Sequence, residues 1–258
     1  MSGGNHPRKD KELVEEQDKI RTLFICDLVT ATGFSTVSHG IIANLDKKFD
    51  VVGIGINYFG DPHNYPFPIF PARSQTDVYG LKRLETLIPR LKPQIIFILN
   101  DVWVINKYLE KLKEIYNAIK QPLPKIVIYF PVDAEEHDKD WYQHFDIVSQ
   151  AVVYTEFGRD VVEKCVPFIP LKIIPHGVDS KSFFQMFPNR SDAKKLLYTK
   201  DDLKYLVDDS FVFFNGNRNQ PRKKLDLTLE AFKLFCEDKP ANVRIHMHCG
   251  IKDANHIE

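Results

Sequence analysis

The 258 residues include 35 Lys and Arg against 35 Asp and Glu. The formal net charge at pH 7 is therefore zero, which excludes the whole-protein positive field of a strongly basic nucleic-acid binder. Hydrophobic residues at 43%, charged residues at 27%, 12 glycines and 16 prolines suit a folded globular chain and exclude disordered, collagen-like and low-complexity classes.

Residues 1–19 hold only Met1, Leu13 and Val14 as large apolar side chains. They predict a disordered polar tail without the apolar stretch of a signal peptide. Residues 23–26 form the first predicted strand, followed by a loop from Asp27 to Gly33. Val37, Ile41, Ile42 and Leu45 then fall at helical spacing, with Ser35 or Thr36 as the expected N-cap. Residues 51–56 predict a second strand, and a connection rich in proline (Pro62, Pro66, Pro68, Pro71) predicts irregular surface chain. Leu81, Leu84, Leu87 and Ile88 predict a helix ended near Pro89 or Pro93. The continuous apolar run 95–99 reads as a strand buried on both faces. Ile105, Tyr108, Leu109, Leu112, Ile115, Tyr116 and Ile119 make one helical stripe. Further strands are expected at 126–130, 151–154 and 173–174.

This alternation predicts an α/β fold, a doubly wound parallel sheet, over residues 20–185. The chain then turns polar, with short helices expected at 192–198 and 201–207. A second βαβ rhythm follows: strand 211–214, a helix with Leu225, Leu229, Phe232 and Phe235, and strand 243–247. Residues 186–258 thus read as the start of a second, incomplete α/β domain. One βαβ unit cannot bury both faces of its sheet, so an oligomer, a partner or the first domain is expected to cover it, or the chain is a fragment.

No apolar run reaches the roughly 20 residues of a membrane span, so no transmembrane segment is expected. Cys26, Cys165, Cys236 and Cys249 show no C-x-x-C spacing. Three of them sit within apolar patterns, so they predict buried free thiols in a reducing compartment and a cytoplasmic location.

Ligands of open α/β sheets bind beyond the carboxyl ends of the strands. After the first strand, Gly33 opens a helix: it either lets backbone N–H groups approach a phosphate or sugar, or serves a turn of positive φ. No G-x-G-x-x-G is present, against a dinucleotide oxidoreductase. After 95–99, Asp101 is expected to cap the next helix. After 126–130, Asp133 is the carboxylate closest to its strand and the one to position an acceptor hydroxyl or act as a base. Glu135, Glu136, Asp138 and Asp140 read as a solvated acidic loop, and the D-x-D at Asp138 and Asp140 as incidental rather than a metal site. After 211–214 comes Asn215-Gly-Asn217-Arg218-Asn-Gln-Pro-Arg222-Lys223-Lys224, four cations in seven residues beside a helix N-terminus. Guanidinium, ammonium and helix dipole together suit a diphosphate; a solvated basic turn is the equal alternative. His246 and His248 alternate along a strand and read as strand residues.

The stretch from Phe213 to Phe232, with the basic loop at its centre, resembles the donor-binding segment of family 4 retaining glycosyltransferases of the GT-B fold. Ile173-Ile-Pro-His-Gly-Val-Asp-Ser-Lys-Ser-Phe-Phe184 resembles that family's interdomain segment, and Thr32-Gly-Phe-Ser its N-terminal glycine loop. The resemblance spans about residues 21–258. It implies a metal-independent sugar transferase with two Rossmann-like domains, whose only small-molecule requirement besides the acceptor is a nucleotide-diphosphate sugar. The acceptor would be a sugar, lipid or protein. Lys223 matches the family's lysine and Arg218 most nearly its arginine, with Asn217 at the spacing of some members. Lys224 joins the donor contacts, Gly33 matches the N-terminal loop, and Asp133 falls where members carry an acceptor-side residue. The family's later E-x7-E has no counterpart: no two glutamates lie eight positions apart. That departure keeps a second expectation open, a catalytically incompetent subunit or fragment acting in binding or partner interaction. A nucleotide-sugar epimerase of the same fold is a third.

Overall fold

A computed structural model describes residues 19–74, 76–198 and 209–250. The predicted tail, as far as residue 18, and the predicted helix 201–207 lie outside the described residues. The chain forms two compact units, Met1–Gly177 and Val178–Glu258, dividing earlier than the 185/186 boundary read from the composition shift.

The first unit runs β1 (Ile20–Asp27), α1 (Gly33–Ala43), β2 (Phe49–Ile56), β3 (Ile69–Pro71), α2 (Leu81–Leu91) and β4 (Ile95–Leu99). It continues with α3 (Val102–Ile119), β5 (Lys125–Phe130), β6 (Gln150–Val153), α4 (Glu156–Cys165) and β7 (Leu171–Ile173). The strands form one sheet in the order β3-β2-β1-β4-β5-β6-β7, parallel throughout. In register, Ile25 pairs with Ile54 on one side and Ile98 on the other.

Alternate residues of each strand point to opposite faces. Leu23 and Ile25 enter a core with Leu84, Ile105, Leu112 and Val162, side chains of α2, α3 and α4. Phe24 and Cys26 enter a second core, where α1 contributes Val37 and Ile41. Burial on both faces explains why β1, β4 and β5 read as unbroken apolar runs. The Cys26 thiol, fully buried, is pushed up to about 12 by desolvation and is no nucleophile. All four cysteines are free, but only Cys26 is buried; Cys165 and Cys236 are half-buried and Cys249 is exposed, against the expectation of buried thiols.

Four local details differ from the sequence reading. The N-cap of α1 is Thr32, whose hydroxyl accepts from the Ser35 N–H at 3.2 Å, so the helix takes in Gly33. The proline-rich connection contains β3, a three-residue strand laid against Gly53, Ile54 and Gly55 of β2. Pro89 lies inside α2, which gives up the bond an N–H there would make to the Glu85 carbonyl and ends at Leu91, between Pro89 and Pro93. Helix α4, not anticipated, starts from Thr155, whose hydroxyl accepts from the Gly158 N–H at 3.0 Å.

The second unit holds α5 (Arg190–Leu197), β8 (Phe211–Gly216), α6 (Leu225–Phe235) and β9 (Val243–His248). Strands β8 and β9 are parallel, with Phe213 opposite Ile245 and Gly216 opposite His248. Lys194 of α5 is buried and donates to the Ser210 carbonyl just before β8. Among the described residues, no helix is long and apolar enough to cross a membrane.

Candidate functional site

In the first unit the strand order turns back at β1, which lies between β2 and β4. Because every strand is parallel, the loops after β1, β2, β4, β5, β6 and β7 gather at one end, where open α/β sheets take ligands. Asp27 ends β1 and is 4% exposed. Its carboxylate accepts from the Thr32 hydroxyl at 2.7 Å and the Asn57 amide at 3.1 Å. One buried acid thereby ties the end of β1, the cap of α1 and the end of β2. Thr30 adds a bond from its hydroxyl to the Asn57 carbonyl at 2.6 Å.

This frame presents Gly33 as the first residue of α1. Its φ lies outside the left-handed region, and a Cβ built on it meets nothing within 4 Å. The backbone and its packing therefore do not require glycine here, and the alternative of a positive-φ turn falls away. Gly33→Ala is expected to leave the melting temperature unchanged or slightly higher. If ligand backbone approach is what glycine serves, the same substitution weakens ligand binding several-fold. A thermal melt beside a binding assay separates the two.

Asp101 occupies the N-cap position of α3 with no side-chain capping bond, and Asn100 beside it is buried. Asp133, in the loop after β5, is exposed. Asp138 caps a short 3-10 turn, Lys139–Tyr142, accepting from the Asp140 N–H at 2.9 Å; the D-x-D pair is part of that turn. His137 meets the Tyr142 hydroxyl at 2.7 Å. Above the ends of β5, β6 and β7, Tyr129, Tyr154 and His176 form a ring cluster that the sequence reading missed.

Burial holds the imidazoles of His137 and His176 below the ordinary 6.5, with the Asp133 carboxylate partly offsetting this at His137. Each binds a proton less tightly folded than unfolded, so the unfolded chain takes up more protons as the pH falls through about 6.5. Stability of the first unit is therefore expected to be full above that value and to decline below it. Both tryptophans, Trp103 and Trp141, belong to this unit, so fluorescence melts at pH 7.5 and 5.5 give the check. An equal or higher midpoint at pH 5.5 would contradict it.

In the second unit the basic loop lies between the end of β8 and the start of α6. Gln220 leads into a single 3-10 turn, Pro221–Lys223, and Lys224 then adopts left-handed geometry (φ 49°, ψ 49°). The Lys224 carbonyl accepts twice, from the N–H and the hydroxyl of Thr228, both at 3.1 Å. The Asn215 amide donates to that same hydroxyl at 3.4 Å, and the Asn217 amide to Asn215 at 2.6 Å. Asn217 is also held by its N–H on the His248 carbonyl at 3.2 Å. Lys92 and Lys120 share this left-handed geometry as the C-caps of α2 and α3, so at Lys224 it marks the join between the turn and α6 and does not single out a site.

Held this way, Arg218, Arg222 and Lys224 are exposed and Lys223 is half-buried. Among the described residues, none of the four makes a salt bridge. Four of the six sequence-predicted site residues, Asn217, Arg218, Lys223 and Lys224, thus share this one loop. Gly33 and Asp133 stand at the ligand end of the first unit. Beside the loop, an open apolar cleft of about 550 Å³ lies between β8, β9 and α6, its polar edge formed by Asn215, Asn217 and Thr228. His246 and His248 belong to β9, and the His246 ring packs near Tyr198 and Phe214.

No protein-family model and no curated protein matches the chain. Among solved structures it is similar to a crystal structure of MurG from Acinetobacter baumannii, with a TM-score of 0.39 and 11% identity, covering 91% of this chain and 69% of that one. So low a score and identity leave the chemistry to be argued from the chain's own residues.

Proposed function

We propose that the protein is a GT-B-like glycosyltransferase that moves a sugar from a nucleotide-diphosphate donor to a sugar, lipid or protein acceptor. The observation that carries this reading is the basic loop: four cations at the carboxyl end of a parallel strand, beside a helix start, free of ion pairs among the described residues. As the bond from the anomeric carbon to the phosphate oxygen breaks, negative charge collects on the departing diphosphate. Arg218 and Lys223 stabilise that charge, with Lys224 and Asn217 completing the donor contacts. Supplied by side chains, this neutralisation makes transfer metal-independent. Retention of anomeric configuration belongs to the same reading. Gly33 and Asp133 serve the first unit's side, Asp133 as the carboxylate for the acceptor hydroxyl. The cytoplasm is the location proposed for it.

The test is release of nucleoside diphosphate from UDP-, GDP- and ADP-sugars, with and without simple glycoside acceptors. Release from one donor, abolished by the Arg218→Ala, Lys223→Ala pair, supports the reading; no release from any donor opposes it.

A second reading, a binding subunit without transfer, is favoured by the apolar surface of the second unit. Phe211, Phe214, Leu234 and Phe235 are exposed there, a pattern that marks interaction surfaces. Tight nucleotide binding with no turnover would support it.

A further inference from the structure

The two sheets treat their edges differently. In the first unit the edge strands β3 and β7 are three residues each; β3 ends in Pro71, and β7 carries Lys172 at its centre. Short length, proline and lysine are the usual means of keeping an edge strand from pairing with another chain. Strand β8 has none of them. Among the described residues it pairs with β9 alone, and its six residues, Phe211-Val-Phe-Phe-Asn-Gly216, include no charge and no proline. Its neighbour β9 is guarded by Arg244, His246 and His248.

The ladder shows which backbone groups β8 leaves open. The Phe211 N–H donates to the Asn242 carbonyl at 2.9 Å and the Asn217 N–H to the His248 carbonyl at 3.2 Å, both on the β9 side. Backbone direction alternates along a strand, so Val212, Phe214 and Gly216 turn their N–H and C=O groups to the opposite edge. Apolar surface accompanies that edge, since Phe213 and Phe214 line the cleft beside α6.

Area and charge select the occupant. Phe211, Phe213, Phe214 and Phe235 are 49, 40, 66 and 45% exposed. At about 200 Å² per phenylalanine, these four side chains alone offer a pair of copies roughly 800 Å², about half of a standard interface. The open edge and the α6 flank supply the rest. Charge then fixes the direction. Asp209 lies just before β8 and Arg218 just after it; both are exposed, and neither makes a salt bridge among the described residues. Antiparallel pairing of β8 with β8 of a second copy sets Asp209 of each beside the loop that begins at Arg218 of the other. Parallel pairing would set like charge beside like.

We propose that the protein is a two-fold dimer in which β8 pairs antiparallel with β8 of a second copy. The two small sheets then form one sheet of four strands, β9-β8-β8-β9. Such an interface is isologous and closes on itself, because each copy commits its one unguarded edge. The proposal does not rest on the transferase reading.

The test is sedimentation equilibrium of the full chain over a range of concentrations, on wild type, Phe214→Lys, Val212→Pro, Asp209→Lys and the double variant Asp209→Lys, Arg218→Asp. Wild type is expected to sediment as a dimer. Phe214→Lys sets like charges across the new pair and should raise the dissociation constant about 100-fold. Val212→Pro removes an N–H that serves only the open edge and should also weaken the dimer. Far-UV circular dichroism confirms that each variant is folded. Asp209→Lys should weaken the dimer about tenfold, and adding Arg218→Asp should restore it. That recovery reads the charge pair itself and does not depend on altering the strand. A wild type that stays monomeric at every soluble concentration would overturn the proposal. So would a dimer equally tight in Phe214→Lys and Val212→Pro, assembly beyond the dimer, or no recovery in the double variant.

Discussion

Replacing Gly80 by alanine is expected to destabilise the first unit by about 2–4 kcal/mol and to lower its melting midpoint by roughly 5–15 °C. Gly80 is the N-cap of α2 and sits at φ 72°, where a side chain is strained whatever the space. Space is lacking too. An added Cβ would stand 2.7 Å from the Ala72 carbonyl oxygen and 2.9 Å from the Ala72 Cα. Neither atom is free to retreat, because Ala72 is fully buried and its N–H donates to the Gly55 carbonyl at 2.9 Å, extending β3 along β2. Asp77 fixes the glycine from the other side, accepting from the Gly80 and Lys82 N–H groups at 2.8 Å each. Gly40 of α1 is the matched control: a Cβ there meets nothing within 4 Å, so Gly40→Ala should stabilise by roughly 0.5–1 kcal/mol. Tryptophan-fluorescence melts of the two variants give the comparison. Equal midpoints would contradict the packing described around Ala72.

The Arg218→Ala and Lys223→Ala variants are each expected to lower kcat about 10²–10³-fold, the cost of removing one preorganised group from a transition-state charge. The scaffold beneath the loop survives either change, since the bonds from Thr228 to the Lys224 carbonyl and from Asn217 to Asn215 involve neither side chain. Melting points should therefore stay within the scatter of surface substitutions. Lys239 of the same unit is the control. It pairs with Asp238 at 2.6 Å, and Lys239→Ala should leave kcat unchanged. Because Arg218 is exposed, raising ionic strength should also weaken donor affinity, as screening predicts. Steady-state kinetics of the three variants at low and high salt decide the matter. Full activity in Arg218→Ala and Lys223→Ala would remove the loop from the reaction.

The parallel sheet was legible because strands buried on both faces write themselves as unbroken apolar runs. Residues 95–99 and 126–130 did so, and the stripe from Ile105 to Ile119 marked α3. What escaped depends on contacts between distant residues. Strand β3 pairs with β2 where the Ile69 side chain packs over Gly53 and Gly55, 3.4 and 3.2 Å from where their Cβ atoms would stand. Helix α1 starts at Thr32 because the Asp27 carboxylate, at the end of another element, holds that hydroxyl. The same division holds for the site. The basic loop is contiguous, so strand, cations and helix could be read in one line. The cluster of Tyr129, Tyr154 and His176 is assembled from three strand ends, and no spacing in the sequence announces it. Its one local trace is a polar-tipped aromatic directly after β6, where an aliphatic residue would have served the core alone.

The account's central claim is that the loop from Arg218 to Lys224 receives the diphosphate of a nucleotide sugar. Its most direct test is calorimetric titration of UDP, GDP and ADP into wild type and Lys223→Ala. One nucleotide is expected to bind wild type and to bind the variant at least tenfold more weakly, as loss of a charge-assisted contact requires. Equal affinity in the two proteins, or no affinity in wild type for any of the three, would contradict the claim.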